Sequence, residues 1–578
     1  MCLGVRYKSA MYVDCRTSSR WRRAWPVVPL AALAAVGFAL RAWHSDVPFQ
    51  SGDFATMPYL VSQRSGIVWI LRHTYGPLLP MVVAVLARAA VALGFGMTET
   101  LWRMPLILIG TLHVPVTFVL MRRLGASRWA ALMAAGVVAV VPSLTNDARY
   151  PWGYECLGAM VGSLALWAWL RELDRPPGGE HTVRTRLEAW LAGGLMAAYL
   201  LSHLLIHAVP IVAVAAAVLI AERRGAVCRI ARPAVVVPVG LAVGLTCVAW
   251  FRYGGGILGR MVRHAAIGTV DAGASSWSDL ARLWCEHLGA PWAAFCAVAV
   301  VVGLVLLARG DRRGLPALWT IVYILPLVLL LDITHMGRPT QYQIQGTYAA
   351  SLAGCLLLDI LAGAVGRRSR AGVRRFARVG VATAGVAVVG ALFVGSYESL
   401  FTDRRPPAWT GSTDYGRVIP DPGTKAAGWY VRAHVPADAV VLATHGMQGL
   451  EYPCAIYYTG RHVAAGEDTT PSEQRAIVAA VHGAIDVALV EPALLATFRD
   501  EYGFSVPVRI LRGGRPVLYI AARPGYAIPA MDVDVAEADA RYDRQCALRH
   551  IPTPVARNER TAAVNQTIHA IRAAVAGF

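Results

Sequence analysis

Two aspartates, Asp46 and Asp53, stand just beyond the first long apolar stretch, in the segment AWHSDVPFQSGDFATMPYL. A carboxylate held outside a spanning helix, near the lipid headgroups, can take a proton from a hydroxyl. The residues around Asp53 mix small and aromatic side chains that can shape a pocket. Asp53 is therefore the first candidate for a general base, with Asp46 as its rival; an outer loop is also free to carry an aspartate with no chemical duty. A second group, NDARYPWGYE over 146–155, holds Asp147, Arg149 and Glu155 among aromatics. The aromatics fit an interfacial belt. A carboxylate at the rim of a spanning helix is costlier to place, which marks Asp147 and Glu155 as site candidates. The stretch THMGRPTQYQIQGTY over 334–348 carries Arg338. Its guanidinium fork can grip phosphate oxygens, or it can snorkel to headgroups. His203 and His207 lie four apart on one helical face. That spacing suits hydrogen bonds to a phosphate or sugar, a packed pair, or a metal. The third ligand of a metal site is missing nearby. No cofactor is expected: a divalent metal is allowed by the histidine spacing but not indicated.

These residues need elements to hold them, and composition says which kind. The 578 residues are 56% hydrophobic and 16% charged, with a mean hydropathy of +0.47. A chain this apolar reads as a polytopic membrane protein. Runs of ~20 apolar residues are candidate spans. They fall at 24–41, 78–97, 104–121, 130–144, 155–170, 188–206, 208–220, 234–251, 290–308, 315–331, 346–366 and 379–397. Loop charge tests the count. If 78–97 does not cross, the loops 122–129, 171–186, 221–233, 309–314 and 367–378 all share the side of the arginine-rich N-terminus, as the positive-inside rule requires. With the first 25 residues these loops hold 26 of the 55 Lys/Arg and six of the 36 Asp/Glu. The whole net charge of +19 is then cytoplasmic loop charge. It reports topology and anionic lipid rather than nucleic acid. Eleven spans are expected, with 78–97, opened by Gly76-Pro77 and interrupted by Arg88, lying along the outer face as a juxtamembrane helix.

After residue 397 the composition changes. Residues 398–423 read as a Pro/Gly-rich linker. Over 424–525 helices and strands alternate, with a β-hairpin turning at Gly513-Gly514, so a small α/β domain is expected on the outer side. Residues 526–578 read as an irregular tail with one helix near 560–576. Residues 1–23 are assigned to the cytoplasm and 24–397 to the membrane, with outer loop 42–103. The expected location is the inner (plasma) membrane, multi-pass, with the C-terminal domain extracytoplasmic.

Four stretches carry a family resemblance: FALRAWH, in which a helix ends in Arg41; YGPLLPMVVAVLARAAVALGFG followed by WRMPLILIGTLHVPVTFVLMRRLG; VVPSLTNDARYPWGYE; and GRPTQYQIQGTYAASLAGCLLL. In this order they resemble the GT-C glycosyltransferases over roughly residues 24–366, and within them the protein O-mannosyltransferase and lipid A aminoarabinose transferase branch. The resemblance implies a polyprenyl-phosphate sugar donor and an inverting transfer to an acceptor hydroxyl on a lipid, protein or polysaccharide. It makes Asp53 the catalytic base and has Glu155 or Asp147 hold acceptor or sugar. Arg338, Tyr342 and Arg149 would contact the donor phosphate. Where the family commonly has an acidic pair in the first outer loop, Phe54 follows Asp53 here. The rival class is a multi-pass transporter or flippase. Transporters tend to show repeats and broken helices meeting at the midplane, whereas the polar residues here cluster toward one face.

Overall fold

The computed structural model describes residues 26–48, 78–95, 98–149, 154–174, 182–202, 237–244, 277–334, 344–368, 371–401, 423–444, 452–465, 471–545 and 557–575. The described residues up to 401 are mainly helical: α1 (Val27–Ala42), α2 (Leu78–Ala92), α3 (Glu99–Arg123), α4 (Arg128–Val140), α5 (Pro142–Asp147), α6 (Tyr154–Leu173), α7 (Val183–Ser202), α8 (Trp277–Leu288), α9 (Ala290–Ala308), α10 (Leu315–Thr334), α11 (Ile344–Arg368) and α12 (Ala371–Phe401). Among the described residues five helices are long and apolar enough to cross a membrane: α3, α6, α9 and most of α11 and α12. The run 208–220 and parts of 234–251 lie outside the described residues.

Local chemistry sets the helix ends. The Thr98 hydroxyl accepts from the Leu101 N–H at 3.3 Å and starts α3. Ser127 does the same for α4, accepting from Ala130. The expected span 130–144 is divided at Val141, because Pro142 lacks the N–H that would continue α4 and instead opens α5. Helix α2 has 15 residues, short for a crossing. It buries Leu79, Val83, Ala84 and Ala87 and exposes Met81, Val85 and Leu86.

The arginine-rich connections meet on one face of the bundle. Arg123 at the end of α3 pairs with Asp174 at 2.6 Å, and Arg312 before α10 pairs with the same carboxylate. Arg171 on α6 holds Glu188 on α7 at 2.7 Å. The Ser127 N–H donates to Asp359 on α11 at 2.8 Å. Three of the five loops that the charge count assigns to one side are thus tied together.

At the other end of α3 sits a mixed sheet. Its elements are α13 (Thr424–His434), β1 (Val441–Ala443), α14 (Tyr452–Thr459), β2 (Val463–Ala465), α15 (Pro471–Val481), β3 (Val487–Val490), β4 (Ser505–Arg512), β5 (Arg515–Ala522), β6 (Met531–Asp534), α16 (Val535–Gln545) and α17 (Glu559–Val575). The strand order is β2-β1-β3-β5-β4-β6, with β5 antiparallel to both its neighbours and the other pairings parallel. The hairpin turns at Gly513 and Gly514, both at positive φ, as a two-residue turn of this hand needs. Side chains alternate along the strands. Val441, Val487 and Leu489 join a core shared with α13, α14 and the helical bundle, while Leu442, Ala488 and Val490 pack with Ile477, Val564 and Ile568. The expected irregular tail 526–578 is corrected over 531–545, which form edge strand β6 and helix α16, while the helix expected near 560–576 is α17; these elements complete both layers of the sheet. The strand MDVD buries only Val533, so its apolar signal is nearly nil.

Cysteines placed at Arg184 and Arg515 in a protein free of native cysteines should label with an impermeant maleimide from opposite sides of membrane vesicles. Labelling of both from one side would contradict the placement of the sheet opposite the basic loops.

Candidate active site

The exit of α1 is held by buried arginines. The last carbonyls of a helix lack partners within it, and here guanidinium groups supply them. Arg41, fully buried, donates Nη1 to Gly37 O at 2.8 Å and to Ala139 O at 2.9 Å, and Nη2 to Val138 O at 2.9 Å. It therefore closes the end of α4. Gly37 and Gly110 make room for it, since a Cβ at either would lie within 2.8 Å of its side chain. Arg149, just after α5, closes the end of α1. Its Nη1 reaches Leu40 O, Arg41 O and Trp43 O at 3.2, 2.9 and 2.5 Å, and its Nη2 reaches His44 O at 3.1 Å. Arg103 on α3 then takes the next turn, donating to Ser45 O at 2.6 Å and Val47 O at 2.5 Å. His44 sits at φ 49, left-handed for a side chain that carries a Cβ. The first outer loop thus leaves α1 in a fixed direction, with Asp46 exposed on it.

A seam of polar side chains runs between α6, α7, α10 and α11. Glu155, in the first turn of α6, is 2% exposed. Its Oε2 accepts from the Tyr323 hydroxyl at 2.5 Å, and its Oε1 has no hydrogen-bond partner among the described residues. Tyr199 on α7 donates to Gln345 Oε1 at 2.8 Å. Deeper in, the Tyr348 hydroxyl lies 2.7 Å from Ser163 Oγ and 3.2 Å from Thr117 Oγ1, with the buried His113 ring beside it. Asp147 takes a different role. Its Oδ2 accepts from the Cys156 N–H at 2.6 Å, capping α6 from the preceding turn. Burial pushes the Asp147 carboxyl up to about 7, against the opposing effect of that N–H.

Of the residues expected from sequence, Asp147, Arg149 and Glu155 fall in this region. Asp147 and Arg149 are engaged with backbone, and Glu155 keeps one oxygen free of protein partners among the described residues. Asp53, Arg338, Tyr342, His203 and His207 lie outside the described residues. Gln345 stands three residues beyond Tyr342 in sequence. Sequence reasoning passed over Arg103 at the exit of α1 and, in the seam, Tyr199, Tyr323, Gln345 and Tyr348. Arg103 carried a usable signal, a charge at the head of an otherwise apolar helix. The tyrosines were indistinguishable from core aromatics.

No protein-family model matches the chain, and no curated protein matches it by sequence. The backbone nevertheless follows solved structures. It matches ArnT from Cupriavidus metallidurans in the apo state with a TM-score of 0.57, at 14% identity, over 87% of this chain and 98% of that one. ArnT is a lipid A aminoarabinose transferase. The same protein bound to undecaprenyl phosphate gives 0.55 at 14% identity, over 86% of this chain and 98% of that one. The chain has the GT-C fold. The oligosaccharyltransferase AglB from Archaeoglobus fulgidus, in complex with an inhibitory peptide and a dolichol-phosphate, matches at 0.53 and 14% identity, over 82% of this chain and 70% of that one. In this chain the arginine-held exit of α1 and the head of the polar seam at Glu155 are joined through Arg149 and Asp147.

Two outcomes test this geometry. Arg149→Met leaves the α1 carbonyls without their donors and should destabilise the protein by about 3 kcal/mol, read as a lower thermal midpoint in detergent. An unchanged midpoint would remove its capping role. Asp147 has a folded value of about 7, above the roughly 3.9 of a free aspartate. Its contribution is fully present below about pH 4 and is lost as pH rises toward about 7. Asp147→Asn keeps an acceptor for Cys156 and has no charge to bury. Its midpoint should therefore gain on the native protein between about pH 5 and pH 8, and a constant difference would refute the burial account.

Proposed function

We propose that the chain is an integral-membrane glycosyltransferase of the inner (plasma) membrane. It would move a sugar from a polyprenyl-phosphate donor to an acceptor hydroxyl on the outer face. The observation that carries this reading is the match to ArnT over nearly the whole of both chains, which includes its complex with undecaprenyl phosphate. AglB, seen with a dolichol-phosphate and an inhibitory peptide, supports the same kind of lipid carrier.

The chemistry is a single inverting displacement. The acceptor oxygen forms a bond to the sugar C1 as the bond from C1 to the phosphate oxygen breaks, and the acceptor proton goes to Asp53. The departing polyprenyl phosphate gains negative charge, which Arg338 and Tyr342 meet. Glu155 uses Oε1 to accept a hydrogen from a sugar or acceptor hydroxyl, with Tyr323 fixing the other oxygen so that the carboxylate cannot turn away. Holding donor and acceptor in line supplies much of the acceleration. Asp147 and Arg149 act here by placing α6 and the first loop, and His203 and His207 by hydrogen bonding to the phosphate or sugar. The acceptor is a lipid, a protein or a polysaccharide.

Transfer from a radiolabelled polyprenyl-phosphate sugar pool, in membranes holding the native chain, tests this directly. Asp53→Asn should abolish it, and Glu155→Gln should lower it on the order of 100-fold. Native transfer that survives intact in both variants would overturn these assignments and send the search for the base to Asp46. Transfer by no form of the protein, with several donors tried, would count against the reaction class.

A further inference from the structure

A buried charge node joins the sheet to the head of α3. The Lys425 ammonium, on α13, lies 2.9 Å from Glu99 Oε1 and 2.7 Å from Asp543 Oδ1 on α16. The Lys425 and Glu99 side chains are 2% and 5% exposed. The Tyr458 hydroxyl, on α14, donates to the same Glu99 oxygen at 3.1 Å. Burial alone would lower the Lys425 ammonium, yet the Glu99 and Asp543 carboxylates together hold it above the usual lysine range. A buried ion pair of this kind resists removal of one partner strongly, because the other is then left charged and desolvated.

Glu99 opens α3, and Arg103 follows one turn later on the same face. Glu99 acts electrostatically on Arg103, as does Asp46 in the first outer loop. The Arg103 guanidinium in turn holds the carbonyls of Ser45 and Val47. The node therefore sits in a continuous run from the sheet, through Lys425, Glu99 and Arg103, to the backbone on either side of Asp46. Lys425 and Glu99 form the buried part of the node, while Asp543 is half exposed, so loss of Lys425 leaves the Glu99 charge buried.

We propose that Lys425 is a positioning residue for the start of the first outer loop: by fixing Glu99 it orients Arg103, which aims residues 43–48. This inference rests on the glycosyl-transfer reading for its functional meaning, since Asp53 follows these residues in sequence. The sheet would then act as a brace for residues 43–48.

The test is amide hydrogen exchange on the full chain in nanodiscs, which does not require knowing the substrate. In Lys425→Met, peptides covering residues 43–48 should exchange at least tenfold faster, while peptides from β4 and β5 keep their native rates. Lys425→Arg should restore slow exchange at 43–48. Glu99→Gln keeps an acceptor for Tyr458 but removes the charge, and it covers the case in which Lys425→Met loosens the sheet itself. It too should speed exchange at 43–48. Native exchange at 43–48 in Glu99→Gln, with the sheet peptides unchanged, would overturn the proposal whether or not transfer is detected. Where transfer is measured, the loss in Lys425→Met should fall on kcat with KM for the donor unchanged. A loss confined to KM would likewise overturn the positioning role. Absence of transfer in the native chain would bear on the reaction class alone and leave the exchange result to decide this point.

Discussion

The arrangement depends on how an apolar bundle ends its helices. Each helix presents four carbonyls with no partner inside the helix, and away from water every such group must be met by something else. At the end of the bundle nearest the sheet, three arginines meet them. Arg41 closes α4, Arg149 closes α1, and Arg103 takes the turn that follows α1. A guanidinium suits this work better than an ammonium because its donors lie in one rigid plane and reach several carbonyls at once. The cost is space, and Gly37 and Gly110 leave it.

This network ties together parts that are far apart in sequence. Arg149 follows α5, whose last residue, Asp147, caps α6, and the next residue along from that helix start is Glu155 with its free oxygen. The direction of the first outer loop and the position of the buried carboxylate are consequently set by one connected group of side chains. The sheet joins the same group through Lys425 and Glu99. Residues 43–48, fastened this way at both Ser45 and Val47, keep a fixed path out of α1.

The similarity to ArnT and AglB holds at 14% identity. An apolar bundle explains how so little sequence can preserve a backbone. Lipid-facing positions accept any apolar side chain, and packing positions tolerate swaps that keep volume. What cannot drift freely are the buried charges, since each needs a partner in place. Arg41 was already noticeable as an arginine at the end of an apolar run, but its partners are backbone carbonyls, which leave no mark in the sequence.

The sequence by itself determined the class of the protein. Apolar run length, the concentration of arginine in alternate loops and the change of composition after residue 397 are local properties that physics reads directly. The order of its motifs also carried the resemblance to the GT-C fold. The hairpin at Gly513-Gly514 was legible for the same reason, since a turn is decided within a few residues, whereas α3 starts at Glu99, ahead of the apolar run expected at 104–121. The tertiary structure decided which polar groups are free and which are spent. Asp147, Arg149 and Glu155 look alike in sequence, three ionisable residues in one short stretch. Only the fold shows that two of them satisfy backbone and that the third keeps an oxygen free of protein partners among the described residues. Edge strand β6 and the Lys425–Glu99 pair were hidden for a like reason. Each depends on a partner between roughly 20 and 330 residues away in the chain, and nothing in a local pattern announces contacts made at that distance.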